Sequence, residues 1–516
     1  MIPRFILDKV RSTIVAVGVT FTAAAASPLS AQDARPSPEV IARAVDSVAT
    51  GIIASRISPG FGVAIVMDGK TVFAKAYGWA DATARIAANE RTLWYVASTT
   101  KSYTGFAVSL VAHRGAINLN APITTLLPGV RWPEDVDASR LTLAHFLSHT
   151  HHINDDAVVL SAAFTGAIPE RRWPELIQYG KASGNDDLVY SNFGYNIAAM
   201  VIDRVRPEGW RRFLDNAVNR PAGLRETYTR VSGLDARRIA KPHDVTAAGE
   251  FKTLKFEKAD ATMNSAGGHV ATLHDLARWV IVQMDSGRID GRQVFPREAV
   301  ALSHRLIARH TREPSKRFGP FDREGWAAGW DIGSYMGERM VSRFGSYVTT
   351  RSHLSMLPAR RIGVVAQANG PAASSATDII AALVYDLEAG RPNARSAAAQ
   401  RLNELTARLP GLRVQSAKSD SVRRSRQRPL ERPLANFAGS YFNKTFGTLI
   451  FYETKGGLRF RWGVLEGPTE VYDADRDQLR IEVVGDGRVA AFDFDRNKPT
   501  ATSVTLGPVR FERVRR

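Results

Sequence analysis

Apolar residues recur along the first 390 positions at two spacings, and the alternation between them outlines a fold. Over residues 38–56, Val40, Ile41, Ala44, Val45, Val48 and Ile52 return every three or four positions, which predicts an amphipathic helix. Two strand-like runs, 61–67 and 71–77, then flank Asp68-Gly69-Lys70. Asp-Gly is a tight-turn dipeptide, so a β-hairpin is expected. Helical spacing returns over 106–112, 141–149, 195–203 and 273–283. Strand-like runs follow at 326–332, 340–344, 353–357 and 361–368, and a helix over 376–387 closes the region. A hairpin and long helix, a helical insert, then strands and a last helix predict an α+β fold: one antiparallel sheet flanked by helices, plus a helical lobe.

Beyond that the texture changes twice. Residues 390–432 are rich in Arg, Ser, Pro and Ala and read as a linker with one short helix near 397–409. From Leu434, short alternating runs (448–452, 458–462, 478–484, 489–494 and 503–506) are separated by Gly, Asp and Asn, which predicts a small antiparallel barrel or sandwich. The expected division is a leader over 1–31, a sheet-and-helix domain over 38–390, a basic linker over 391–432 and an all-β domain over 433–516.

The leader assignment rests on Arg4, Lys9 and Arg11, the apolar run 13–26, and small residues up to Ala31. That is the layout of a secretory signal cut before Gln32, which places the mature chain in the periplasm or outside the cell; retention as a membrane anchor is the alternative. No later run is long and apolar enough to span a bilayer. The 516 residues contain no cysteine, which excludes disulfides, thiol catalysis and cysteine–metal sites. A net charge of +18 raises nucleic acid as a partner. Much of the excess lies in Arg423, Arg424, Arg426, Arg428 and Arg432, however, with no nucleic-acid motif beside it. The run reads as a solvated face in weak contact with anionic envelope polymers.

Chemistry enters at Trp94-Tyr-Val-Ala-Ser98-Thr-Thr-Lys101. Ser98 and Lys101 are three apart, so on the first turn of a helix they share a face. A hydroxyl there meets unpaired N–H groups and the positive end of the helix dipole. A lysine buried beside it loses its proton near neutral pH and acts as base for the serine. The bland alternative is a serine N-cap with a solvated lysine. Two further segments raise this S-x-x-K pair above chance. Tyr190-Ser191-Asn192 lies on a polar loop, and Arg343-Phe344-Gly345-Ser346 is a strand passing a glycine, where backbone approaches a ligand closely.

With these motifs in order, the chain resembles the serine β-lactamase, penicillin-binding-protein and class VIII esterase superfamily, in its class C-like branch, over about residues 38–390. The likeness includes the Asp68-Gly69 hairpin, Leu147-Ser-His149-Thr150, Ser265-Ala-Gly-Gly268 and Gly363-Val-Val-Ala-Gln-Ala-Asn369. The C-terminal part looks like the small lipocalin-like β-barrel appended to many of these hydrolases. The resemblance implies that Ser98 is acylated, Lys101 activates it and Tyr190 is the second proton shuttle. Asn192 would hold the substrate amide and orient Lys101, and the N–H groups of Ser98 and Ser346 would form an oxyanion hole beside Gly345. It implies two-step acyl transfer on an amide or ester of a small molecule or peptide, with no cofactor.

The chain also departs from the pattern. Arg343 stands where Lys or His is usual and would receive a substrate carboxylate; Phe344 occupies a position that is often small. Thr349-Thr350 replaces a Gly-Phe pair, and His151-His152 a Ser-Gly. His149, His151 and His152 with Asp155 and Asp156 match neither the H-x-H-x-D-H nor the H-E-x-x-H metal pattern, so no metal is expected. Two other readings compete with the hydrolase: a non-catalytic member binding peptide or cell-wall ligands in the same cleft, and an envelope binder acting through residues 413–432.

Overall fold

Strand Gly60–Met67 feeds two cores at once, and a computed structural model, which describes residues 35–184, 188–310, 321–426 and 428–515, shows both. Phe61, Val63, Ile65 and Met67 point into one core, Ala64 and Val66 into the other. That alternation makes it a central strand buried on both faces. Its hairpin partner is Lys70–Asp81, and the turn between them has Asp68 and Gly69 both in the left-handed region, at φ 48° and 77°. On its other edge it pairs with Ile362–Ala368. A nine-stranded antiparallel sheet results, in the order Ala308–Arg309, Asp322–Trp326, Asp331–Tyr335, Glu338–Tyr347, Thr350–Leu357, Ile362–Ala368, Gly60–Met67, Lys70–Asp81 and Ile86–Ala87. The first and last long helices of this part, Pro38–Ala54 and Ala373–Glu388, cover one face. Thr100–His113 and Leu273–Met284 cover the other, and the helical lobe, including Phe193–Val205, is built on Thr100–His113.

The strand expected over 326–332 is interrupted: residues 327–330 are the turn of a hairpin between Asp322–Trp326 and Asp331–Tyr335. Gly329, at φ 87°, lies against helix Thr100–His113, and a Cβ there would come within 2.1 Å of the Lys101 carbonyl. The close approach of helix and turn overrides the apolar run.

The expected linker with one short helix is also corrected. Residues Ala394–Ser425 form a single 32-residue helix with Pro410 inside it. Only Ala394, Ala398, Leu405 and Leu409 are buried, against the outer helices, so the apolar periodicity that signals a helix is nearly absent. The basic run at its end is bound to one edge of the second sheet. Arg423 pairs with Glu470, Arg428 with Asp475 and Arg432 with Asp477, while Arg426 stacks over Tyr472. Three of these arginines thus have acidic partners on the barrel, while Arg424 and Arg428 remain solvent-exposed.

The C-terminal residues form a second nine-stranded sheet, Gly439–Asn443 through Val509–Arg513. Its two edge strands, Leu465–Pro468 and Glu470–Asp473, are consecutive in the chain. The bent stretch 465–473 therefore pairs with both neighbours and nearly closes a barrel. The interior is filled by Phe437, Tyr441, Phe451, Phe460, Phe492 and Phe511. The barrel docks on the lobe, where the Val464 N–H donates to the Thr165 carbonyl at 2.7 Å. Sheet, long helix and barrel belong to one compact unit, Pro36–Arg516. The expected leader lies outside the described residues; among those described, no helix is long and apolar enough to cross a membrane.

Candidate active site

Ser98 stands on a 3₁₀ turn, Ala97–Thr99, that runs into helix Thr100–His113. Ala97 is held at φ 46°, a conformation disfavoured for a residue with a side chain, and such strain collects at functional turns. Lys101, one turn on, is completely buried. Its ammonium donates to Asn192 Oδ1 at 2.6 Å, the Ala266 carbonyl at 2.8 Å and Ser98 Oγ at 3.3 Å. Three acceptors around one ammonium fix its position and exclude the solvated-lysine alternative.

Asn192 lies at the N-cap position of helix Phe193–Val205 but does not cap it; Ser191 Oγ instead accepts from the Phe193 N–H at 3.0 Å. The Asn192 amide is thereby released to hold Lys101. Tyr190 is 45% exposed as a residue, yet its hydroxyl turns inward and lies 2.6 Å from Ser98 Oγ. Behind it, His149 packs on Tyr190 and Trp326 at centroid distances of 4.6 and 4.5 Å, and its Nδ1 accepts from the Ser191 N–H at 3.2 Å. Burial first, then the charges of Lys101 and Arg343, hold His149 well below the usual histidine range, so it is a neutral support. His151 stacks on Phe146, and Asp155 caps the following helix. Among the described residues no group of three or more His, Cys, Asp or Glu side chains could hold a metal ion.

Strand Glu338–Tyr347 forms the opposite wall. Its alternation points Arg343 and Gly345 toward Ser98, whereas Phe344 faces away and lies edge-on to His353. The bulk of Phe344 therefore does not crowd the nucleophile. Gly345 lies flush against the Ser98 turn: a Cβ there would come within 2.0 Å of the Val96 carbonyl and 2.9 Å of the Ser98 nitrogen. Ser346 follows at the exposed rim, its Oγ accepting from Arg351 Nη1 at 3.1 Å.

Arg343 corrects the sequence expectation. Its guanidinium is 2% exposed and committed inward, donating to the Ser98 carbonyl (2.9 Å), to Tyr190 Oη (3.1 Å) and to Asp331 Oδ2 (3.3 Å). It is a fixed charge on Tyr190, with no donor fork directed at a substrate carboxylate. Asp331, 1% exposed, also pairs with Arg323. Removing one partner from a buried ion cluster leaves charge uncompensated. Asp331→Asn is therefore expected to destabilise the fold by about 3 kcal/mol, read as a lower urea midpoint.

The electrostatics follow from this packing. Burial drives the Lys101 ammonium down to about 8, with the Arg343 charge adding to the fall and Tyr190 opposing it. Desolvation pushes the Tyr190 phenol up, but the charges of Lys101 and Arg343 and the hydrogen bond with Ser98 outweigh it and bring it to about 7. Near neutral pH the pair thus favours phenolate and ammonium around one serine hydroxyl.

The Beta-lactamase family model matches residues 45–387, two thirds of the sequence and all the residues just described. The chain belongs to the β-lactamase family. Among β-lactamase-related proteins it is similar to penicillin-binding protein 4 of Amycolatopsis lactamdurans, at 24% identity over 64% of this chain and 86% of that protein. It is also similar to protein flp of Staphylococcus aureus strain NCTC 8325, at 20% identity over 60% of this chain; the match spans 59% of the length of that relative. In fold it is similar to the octameric penicillin-binding protein homologue from Pyrococcus abyssi, with a TM-score of 0.57 at 17% identity, covering 90% of this chain and 98% of the other. Membership in this family fits serine-hydrolase-type activity in general.

Within the β-lactamase framework, the structure brings together Ser98, Lys101, Tyr190, Asn192, Arg343 and Gly345, with Ser346 at the rim. Sequence reasoning did not reach the Ala266 carbonyl, His149 under Tyr190, or Asp331 behind Arg343. His149 and Ala266 lie in segments that the family likeness already marked, though without these roles, and Asp331 left a signal of its own: a lone carboxylate between Trp330 and Ile332 in an apolar run must find a buried partner.

Proposed function

We propose that this protein is a serine hydrolase that cleaves ester or amide bonds of small molecules or peptides through a covalent acyl-enzyme. The convergence of Tyr190 Oη and Lys101 Nζ on Ser98 Oγ, at 2.6 and 3.3 Å, carries the reading. The Tyr190 phenolate takes the Ser98 proton as Oγ attacks the carbonyl, the leaving group departs with that proton, and Tyr190 then draws a proton from water for deacylation. Lys101, held by Asn192, and Arg343 stabilise the phenolate. The N–H groups of Ser98 and Ser346 receive the developing oxyanion. Because Tyr190 is held lower than Lys101, Tyr190 is the group of the two that is free of its proton, and so able to accept one, near neutral pH.

A panel of p-nitrophenyl esters, D-amino-acid amides and nitrocefin, run with Ser98→Ala as control, tests the reading. Turnover of at least one class that vanishes in the variant supports it; turnover of none, or equal turnover by both proteins, rejects it.

A pH profile tests the division of labour. Below about 7 Tyr190 is protonated and inactive, so kcat/KM is expected to rise with pH through about 7. Removing the neighbouring guanidinium makes the phenolate less favourable. Arg343→Gln should therefore move this limb to higher pH, measured on p-nitrophenyl acetate.

Under the same reading, residues 1–31 direct export and the mature enzyme acts in the periplasm or outside the cell; comparing the intact mass of exported and cytoplasmic protein tests this.

A further inference from the structure

Two hairpin tips meet beside the nucleophile, one from each sheet. The first joins strands Glu338–Tyr347 and Thr350–Leu357 and consists of Val348 and Thr349, separated by one residue, Tyr347, from the proposed oxyanion residue Ser346. Val348 has φ 52°, at a position that two-residue hairpin loops normally give to glycine or asparagine. The second tip joins barrel strands Gln478–Val483 and Asp486–Phe494 and consists of Val484 and Gly485, at φ 52° and 79°. A left-handed β-branched residue is an outlier, and it persists only where neighbours hold it. Here there are two, and they are neighbours.

The contact is direct: a Cβ on Gly485 would stand 3.2 Å from Val348 Cγ1. Val348 and Val484 pack on one apolar cluster with Tyr95, Ala97 and Tyr347. Tyr95 and Ala97 lead into Ser98, Ala97 is itself left-handed, and Tyr347 follows Ser346; the Tyr95 and Tyr347 rings meet edge-on at 5.1 Å. Both walls of the proposed oxyanion hole therefore rest on a cluster to which the barrel adds a residue. A cavity of about 250 Å³, lined in part by Tyr347, Val348, Val484 and Gly485, adjoins the contact and gives the tip room to move once it is lost.

We propose that the barrel turn Val484–Gly485 is a positioning element for the oxyanion strand: it holds the Val348 tip, and through it Ser346, in register with Ser98. The catalytic part of this inference rests on the hydrolase reading; the mechanical part does not.

Val484→Gly and Val348→Gly test it, because glycine removes the clamping side chain while suiting the left-handed backbone, so the fold is retained. Hydrogen exchange of peptides spanning residues 344–352 should quicken about tenfold in either variant, with exchange elsewhere and the melting midpoint unchanged. The kcat on p-nitrophenyl acetate should fall about tenfold, with KM within about twofold. The double variant should lose no more than either single one, since both loosen the same apolar cluster. Unchanged exchange at the tip, faster exchange throughout the chain, or a loosened tip with unchanged kcat would each overturn the proposal. Should the wild type hydrolyse nothing and Ser98 resist acylation, the hydrolase reading fails, and the exchange measurement still decides whether the barrel clamps the hairpin.

Discussion

Replacing Tyr190 by Phe is expected to lower kcat/KM by about 10³-fold, within the range by which a positioned base accelerates proton transfer. The variant keeps the ring against His149 and Trp326 and the Lys101 cation beside its face, so packing is preserved and only the oxygen leaves. With it go the 2.6 Å contact to Ser98 and the acceptor for Arg343. Lys101 remains 3.3 Å from Ser98 Oγ in a buried setting. A fall of less than about tenfold would therefore assign the base to Lys101, since the lysine alone would then supply most of the acceleration. Steady-state kinetics of Tyr190→Phe beside Lys101→Met, on one activated ester, separate the two assignments.

The second large effect is steric. Gly345→Ala places a methyl 2.0 Å from the Val96 carbonyl and 2.9 Å from the Ser98 nitrogen, both backbone atoms that cannot turn aside. The strand must draw back from the nucleophile turn, and the Ser346 N–H moves with it. Loss of one oxyanion donor costs about 10²-fold in kcat, and that fall is expected here, with Ser98 still present and buried groups still paired. Retained kcat would mean that the oxyanion is held by groups other than this strand.

Much of this site was legible because its chemistry is local. The three-residue spacing of Ser98 and Lys101 survives as one helical turn, and Asp68-Gly69 forms the turn that its composition predicts. Tyr190 and Asn192 were recognisable as residue types, but their roles depend on which atoms they meet. Asn192 is at a cap position and leaves capping to Ser191, a choice that no local pattern reveals. Arg343 was misread because its charge was visible and its partners were not: Asp331 is twelve residues away and the Ser98 carbonyl 245, and a carbonyl carries no residue-type signature. The long helix Ala394–Ser425 escaped for the opposite reason. Its sequence lacks an apolar stripe and contains Pro410, and ion pairs to the barrel hold the far end. The clamp at Val348 and Val484 was invisible altogether, since two valines in two-residue turns are what turn chemistry argues against.

The central claim is that Ser98 is the acylated residue of a working hydrolase. Incubation of the wild type with a fluorophosphonate, followed by peptide mass spectrometry, tests it most directly. The expected result is one adduct, on the peptide containing Ser98, absent from Ser98→Ala and slower to form in Tyr190→Phe. An unlabelled Ser98, or labelling of Ser98→Ala at the wild-type rate on another residue, would contradict it.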